Sequence, residues 1–267
     1  MLSESTSGDL ARRLVTTAAE LFCLVGTAVG TGLLGTAIRD TGQGSLSDQA
    51  TLVAPAGPAF SIWSVIYLGL SAFTIWQWLP RNAADARVRR LGYLPAASMV
   101  LNAVWILVAQ TGLVWLTAVV ILALLAVLAL VALRLGATGS GRRLETLVVD
   151  GTFGLYLGWV AVATCANLAA ALVDIGVEPG VPVATVLGVV VVLVAGAVAA
   201  ALAWRFGGRV AVGLAMAWGL VWVAVGRLTD TPQSAPVAVA ALVAAVLALG
   251  AVAWVRLRRG AGTSTPA

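Results

Sequence analysis

Histidine and lysine are both missing from the 267-residue chain, cysteine occurs twice, and only 10% of the residues are charged. Without histidine there is no imidazole to ligate a haem or to serve as the base of a conventional hydrolase. Two isolated cysteines cannot build a Cys/His metal site of the usual spacing. Cys23 and Cys165 each sit in the middle of an apolar segment, where a small buried hydrophobe is expected and a disulfide framework is not. No nucleophile-base pair and no phosphate loop is present, and no acidic group stands near the centre of an apolar run. The sequence therefore predicts a non-enzyme with no metal and no resident cofactor, and disfavours an ion-coupled transporter. The sixteen basic residues are all arginine and give a net charge of +5. They are spread between apolar segments rather than gathered on one face, which argues against a nucleic-acid partner.

Sixty-one per cent of the chain is hydrophobic, whereas an ordinary soluble domain carries about 25% charged residues. A water-soluble core of this size cannot hide so much apolar surface, so the solvent must be lipid. About 20 apolar residues cross a bilayer core as a helix. Eight segments qualify, at about 14–37, 59–79, 92–110, 112–134, 147–173, 182–204, 210–226 and 236–255. The fold class is thus an all-α membrane protein, an eight-span transmembrane helix bundle. Prolines fall where the connections should be, at Pro55, Pro58, Pro80, Pro179, Pro182, Pro232 and Pro236, while Pro95 falls in the first turn of the third span.

Arginine placement tests the count independently, because cytoplasmic loops carry excess basic residues. With eight spans, fourteen of the sixteen arginines fall on one side, and only Arg39 and Arg227 fall on the other. Both termini are then expected in the cytoplasm. Residues 1–13 form an N-terminal cytoplasmic tail and 257–267 a C-terminal one. Glu20 and Asp150 are expected in the cytoplasmic turns of the first and fifth spans. The longest connection, about 39–58, is polar, and loops of that length are often binding lids. Gly26-x-x-x-Gly30 and Gly154-x-x-x-Gly158 permit close backbone approach, either between helices of one chain or between two chains in a homodimer.

Ten tryptophans are many for a chain of this length. Trp76, Trp78, Trp115, Trp204 and Trp254 lie at segment ends, as an interfacial aromatic belt would place them. Others share helix faces with polar groups. At about 100° per residue, Phe60, Trp63, Tyr67, Ser71 and Thr74 form one stripe on the second span. Ser98, Asn102 and Trp105 share a face of the third, and Tyr156, Trp159, Ala163 and Asn167 a face of the fifth. A buried amide in hydrocarbon needs a partner. The three stripes should therefore face one another, either as hydrogen-bonded glue between helices or as a pocket with apolar walls and a few orienting polar groups.

The runs Pro55-Ala-Gly-Pro-Ala-Phe60-Ser-Ile-Trp63-Ser-Val-Ile-Tyr67, Leu101-Asn102-Ala-Val-Trp105 and Tyr156-Leu-Gly-Trp159-Val-Ala-Val-Ala163-Thr-Cys-Ala-Asn167 resemble the tryptophan-rich sensory protein (TspO, translocator protein) family. The resemblance covers about residues 14–173, a five-helix unit, and leaves 174–256 as three additional helices. It implies a membrane receptor or sensor binding a flat apolar molecule, a tetrapyrrole or similar, beneath the first loop and between the second, third and fifth spans. Phe60, Trp63, Tyr67, Asn102, Trp105, Trp159, Ala163 and Asn167 match motif positions that line or flank that pocket, and Tyr156 shares their helix face. Pro58 stands where the family commonly has tryptophan, and Ala56 where it commonly has a second proline. The competing reading is a small-molecule permease or carrier. Arginine in place of all lysine, with abundant alanine and valine, points to a high-GC bacterium and hence to a bacterial plasma membrane. The expected partners are membrane lipid and a hydrophobic small-molecule ligand.

Overall fold

The computed structural model describes residues 6–41, 44–136 and 142–261, which are helical with no strand among them. The helices run in chain order as α1 (Ser7–Gly30), α2 (Ile62–Trp76), α3 (Ala86–Leu91), α4 (Leu94–Gln110), α5 (Val114–Leu135), α6 (Arg143–Glu145), α7 (Thr152–Asp174), α8 (Val181–Arg205), α9 (Val210–Thr229) and α10 (Ala235–Ala261). A π-helical turn, Thr146–Gly151, joins α6 to α7. Seven helical stretches among the described residues are long and apolar enough to span a membrane, and Leu94–Gln110 is a shorter apolar eighth. The eight-span bundle expected from the sequence is the one observed.

Local chemistry sets the helix ends. Thr6 caps α1 through the Asp9 backbone N–H while the Asp9 side chain accepts from the Thr6 backbone, a reciprocal capping box. The first helix therefore starts before the expected 14, and it ends at Gly30 rather than 37. The two tails expected at 1–13 and 257–267 are helical as far as they are described; residues 1–5 and 262–267 lie outside the described residues. This longer α1 corrects the placement of Glu20. It lies near the middle of the helix, 4% exposed, and accepts a 2.6 Å hydrogen bond from Ser71 Oγ.

Packing follows small residues. α1 lies on α4, α4 on α5, α5 on α7, and α2 touches α1 and α7. α8, α9 and α10 form a three-helix unit that joins the rest mainly through α9 against α7. A Cβ on Gly158 would stand 2.5 Å from the Val212 carbonyl oxygen, and one on Gly154 2.9 Å from the Ala211 methyl. Gly26 and Gly30 give the same close approach to Ala103 and Ile106 of α4. Both glycine pairs are thus spent inside the chain, and a homodimer would have to use another face.

The arginine-rich loops meet on one face of the bundle. Arg87 bridges Glu145 at 2.7 Å and Asp150 at 2.9 Å, and Arg209 closes on Asp150 from the other side. Arg142 reaches Asp85, and Arg89 reaches Asp9 at 2.6 Å. Burial works against charge on Arg87, but its two carboxylate partners outweigh that and raise its pKa. Asp150 is therefore where the sequence placed it, at a span terminus among arginines. Trp76 is not part of the aromatic belt: it is 4% exposed, with the Arg142 guanidinium over its ring. Trp78, Trp115 and Trp204 are exposed at helix ends, as a belt requires, and Trp254 is exposed about two turns before the end of α10.

Candidate functional site

Away from the arginine-rich face, the N-terminal half of α2, the C-terminal half of α4, the middle and C-terminal part of α7, and the N-terminal half of α5 surround a cavity of about 70 Å³. A 3-10 turn, Gly57–Ser61, with Pro58 in its first positions, leads into α2 and carries Phe60 onto the wall. Of the nine residues singled out in the sequence, Phe60, Trp63, Asn102, Trp105, Trp159, Ala163 and Asn167 line this cavity. Tyr67 and Tyr156 do not; they form the layer behind it. Tyr67 stacks on Trp63 with centroids 5.3 Å apart, and Tyr156 meets Trp63 edge-on at 5.9 Å. The Tyr156 hydroxyl donates to the Ser98 carbonyl at 3.1 Å, which ties α7 to α4.

The two amides behave differently from open ligand donors. Asn167 accepts from the Trp105 indole N–H at 3.1 Å and donates to Thr117 Oγ1 at 2.8 Å. It joins α4, α5 and α7 and fixes the plane of Trp105. Asn102 donates to the Tyr67 hydroxyl at 3.0 Å and lies against Cys23 Sγ at 3.4 Å. Each amide is glue and pocket wall at once, so the two sequence alternatives coexist.

Two of the lining residues have a polar side-chain atom left over. Trp159 is fully buried, meets Phe60 and Trp63 edge-on at 5.6 and 6.3 Å, and has an indole N–H with no partner among the described residues. The hydroxyl of Thr51, also a lining residue, is likewise buried without a partner among the described residues. A buried donor left unpaired costs about 1–3 kcal/mol, which marks both groups as sites for a ligand acceptor or a water.

The roof is the first long loop, which contributes Leu46, Ala50, Thr51, Ala54 and Pro55. Residues 42 and 43 of that loop lie outside the described residues. The roof is fastened from an unexpected direction. Arg227, at the end of α9 and 1% exposed, donates to the carbonyls of Asp48 (3.1 Å), Thr51 (3.0 Å) and Pro232 (2.8 Å). The Ala56 N–H donates to the Trp222 carbonyl at 3.1 Å, and Trp218 Nε1 donates to the Ala59 carbonyl at 2.9 Å. Gly226 leaves just enough room for Ala56, whose methyl would be 3.4 Å from an added Cβ.

Sequence reasoning missed these contributors from α5 and α9. Ile121 and Leu124 of α5 look like ordinary lipid-facing residues in an apolar run. The signal for α9 was Arg227 itself, one of only two arginines on the sparsely charged side, with Trp218 and Trp222 a turn or two away.

Neither the curated proteins nor the solved structures contain a match to this chain. A family model, that of the TSPO-like proteins, matches residues 17–254. The match continues past the five helices that carry the aromatic motifs and runs through most of α10. With the aromatic stripes of α2, α4 and α7 brought to one cavity in an eight-span helical bundle, the chain belongs to the TSPO-like protein family.

Proposed function

We propose that this membrane protein is a sensor or receptor that holds a flat apolar molecule, a tetrapyrrole or similar, between α2, α4, α5 and α7 beneath the roof loop. The observation that carries this reading is the convergence of Trp63, Trp105 and Trp159 from three helices on one hollow, two of whose lining residues, Trp159 and Thr51, have a polar side-chain atom without a partner among the described residues. Indole faces supply apolar contact; Trp159 Nε1 and the Thr51 hydroxyl supply orientation for a ligand carbonyl or carboxylate. Asn167 acts by holding Trp105, and Tyr67 and Tyr156 by holding Trp63.

Size adds a condition. Small-molecule pockets run to about 300–1,000 Å³, so a cavity of about 70 Å³ is the closed form. Admitting a tetrapyrrole requires the roof around Leu46, Ala50 and Thr51 to rise while its Ala56 end stays fixed to α9. In the same reading the chain lies in a bacterial plasma membrane with both termini cytoplasmic, acts without a metal or resident cofactor, and performs no catalysis.

Titrating the purified protein with protoporphyrin and following tryptophan quenching tests the site. Saturable quenching is expected, weakened in Trp63→Ala and Trp159→Ala. Quenching unchanged in both variants overturns the assignment. Ligand-dependent flux through sealed vesicles would instead favour a permease.

A further inference from the structure

A second and larger cavity, about 650 Å³, lies on the arginine-rich face, well away from the aromatic pocket. It is framed by the α6–α7 junction, the turn between α8 and α9, and the end of α10. Its polar wall carries Arg143, Arg209 and Arg256 against the single acid Asp150. That acid is already engaged by Arg87 as well as Arg209. Arg143 and Arg256 are exposed and have no ion-pair partner among the described residues. Arg209 spends its terminal nitrogens on Asp150 and on the Gly136 carbonyl at 2.6 Å, and its Nε is buried with no partner among the described residues. The cavity therefore has positive charge in excess.

The backbone is shaped to bring these cations together. Gly207 and Gly208 both adopt φ of +71°, a conformation side chains rarely tolerate. A Cβ on Gly208 would stand 2.9 Å from Arg256 Cγ, and one on Gly207 would collide with the Arg259 guanidinium. The paired glycines let the end of α10 lay its arginines over the turn.

The other half of the wall is apolar. Leu147 is 71% exposed and Leu214 50% exposed, with Leu155 and Phe206 completing the surface. Leu214 lies a turn into α9 and Leu155 a turn into α7, so the apolar wall runs from the charged rim toward the hydrocarbon-facing part of the bundle. A small soluble anion would satisfy the arginines and leave these leucines uncovered. A phosphate carrying an acyl chain would satisfy both halves.

We propose that this cavity binds an anionic phospholipid, its phosphate on Arg143 and Arg256 with the charge of Arg209 beside them, and one acyl chain along Leu155 and Leu214. Basic pockets between membrane helices on the arginine-rich side are suited to such headgroups. The site is separate from the aromatic pocket, so its lipid occupancy is independent of whether that pocket takes a tetrapyrrole.

Native mass spectrometry of the full chain, released from nanodiscs of mixed phosphatidylglycerol and phosphatidylcholine, tests this. The wild type should retain phosphatidylglycerol selectively, and the Arg143→Gln/Arg256→Gln variant should lose roughly 30-fold in that preference. Leu214→Trp, which fills the apolar track and leaves every arginine in place, should weaken retention as well, with unchanged circular dichroism and gel-filtration profile in both variants. Equal retention of the two lipids by the wild type overturns the proposal, as does a preference that survives the double arginine substitution. Displacement of phosphatidylglycerol by millimolar inorganic phosphate would overturn it too, by showing a site for a soluble anion.

Discussion

Replacing Arg227 with methionine isolates the roof's attachment, because the substitution keeps an unbranched apolar stem and removes only the guanidinium. Three carbonyls lose the Arg227 guanidinium, those of Asp48, Thr51 and Pro232, and two of these belong to the roof, where Thr51 keeps only the Ala54 N–H. Hydrogen bonds to a charged group are worth about 1.5–3 kcal/mol each, though three made by one side chain do not add in full. Each buried carbonyl left without a donor costs about 1–3 kcal/mol. If about 3 kcal/mol of that is local to the loop, opening of the roof becomes roughly 100-fold more frequent, at about 1.4 kcal/mol per tenfold. The readout is amide hydrogen exchange of the detergent-solubilised protein. The Ala50 and Ala54 amides, which donate to the Ser47 and Thr51 carbonyls, should exchange faster by that factor, while α4, α5 and the Ala56 amide held on the Trp222 carbonyl are unchanged. Arg227→Lys should restore part of the protection, since an ammonium can reach some but not all of the three carbonyls. Exchange that is unaltered over 48–56, or accelerated evenly through the bundle, would refute the view that Arg227 is a local fastening.

Other perturbations separate wall from scaffold. Thr51→Val removes the unpartnered hydroxyl at constant volume, so stability should hold or rise by up to about 1 kcal/mol while protoporphyrin affinity falls; thermal unfolding and quenching read the two effects. Asn167→Leu strands the Trp105 N–H, while the Thr117 hydroxyl keeps its bond to the Val114 carbonyl, and should cost about 1–3 kcal/mol together with a shift in tryptophan emission. Cys23 is fully buried beside Asn102, so it should resist thiol reagents in the folded protein and react only on unfolding, as mass-shift labelling would show.

The fold was legible in the sequence because lipid imposes two simple signals, span length and arginine asymmetry, and both survive without any tertiary information. What they could not give was depth. Glu20 looked terminal because the apolar run begins at Leu14, yet the capping box of Thr6 and Asp9 starts the helix a full two turns earlier. The aromatic pocket was legible for a similar reason: period-3.6 stripes on α2, α4 and α7 contain indoles and amides that lipid would not accept. Residues that line the cavity with no polar or aromatic mark, such as Ile121 and Leu124, gave no such sign. The division of labour within the site was equally hidden. Nothing in the spacing distinguishes Tyr156, which braces Trp63 from behind, from Trp159, which reaches the cavity, because both lie on one face of one helix and differ only in what packs beyond them.

That single helix also explains why the added helices matter to the pocket. On α7, Tyr156, Trp159, Ala163 and Asn167 face the aromatic cluster, whereas Gly154, Gly158 and Val162 face α9, and about 100° per residue puts the two sets on nearly opposite sides. α9 in turn fastens the roof through Arg227, Trp222 and Trp218. Wall and roof are therefore mounted on the two sides of one α7–α9 interface, and a change in that interface must alter how they meet. Gly158→Val is the sharpest way to force it. Its Cβ would stand 2.5 Å from the Val212 carbonyl oxygen and 2.9 Å from the Ala215 methyl, backbone and packed side chain that cannot swing aside, so α9 must move. Overpacking of this kind costs about 1–3 kcal/mol, and the variant should unfold at a lower temperature. It should also lose protoporphyrin quenching and gain roof-amide exchange at Ala50 and Ala54, although no residue of the cavity has changed. Gly250→Val, at a position with open space around it, is the matched control and should leave both readouts alone. If Gly158→Val lowers stability but leaves quenching and roof exchange as in the wild type, α9 is a passive buttress and the roof is held by the five-helix unit alone.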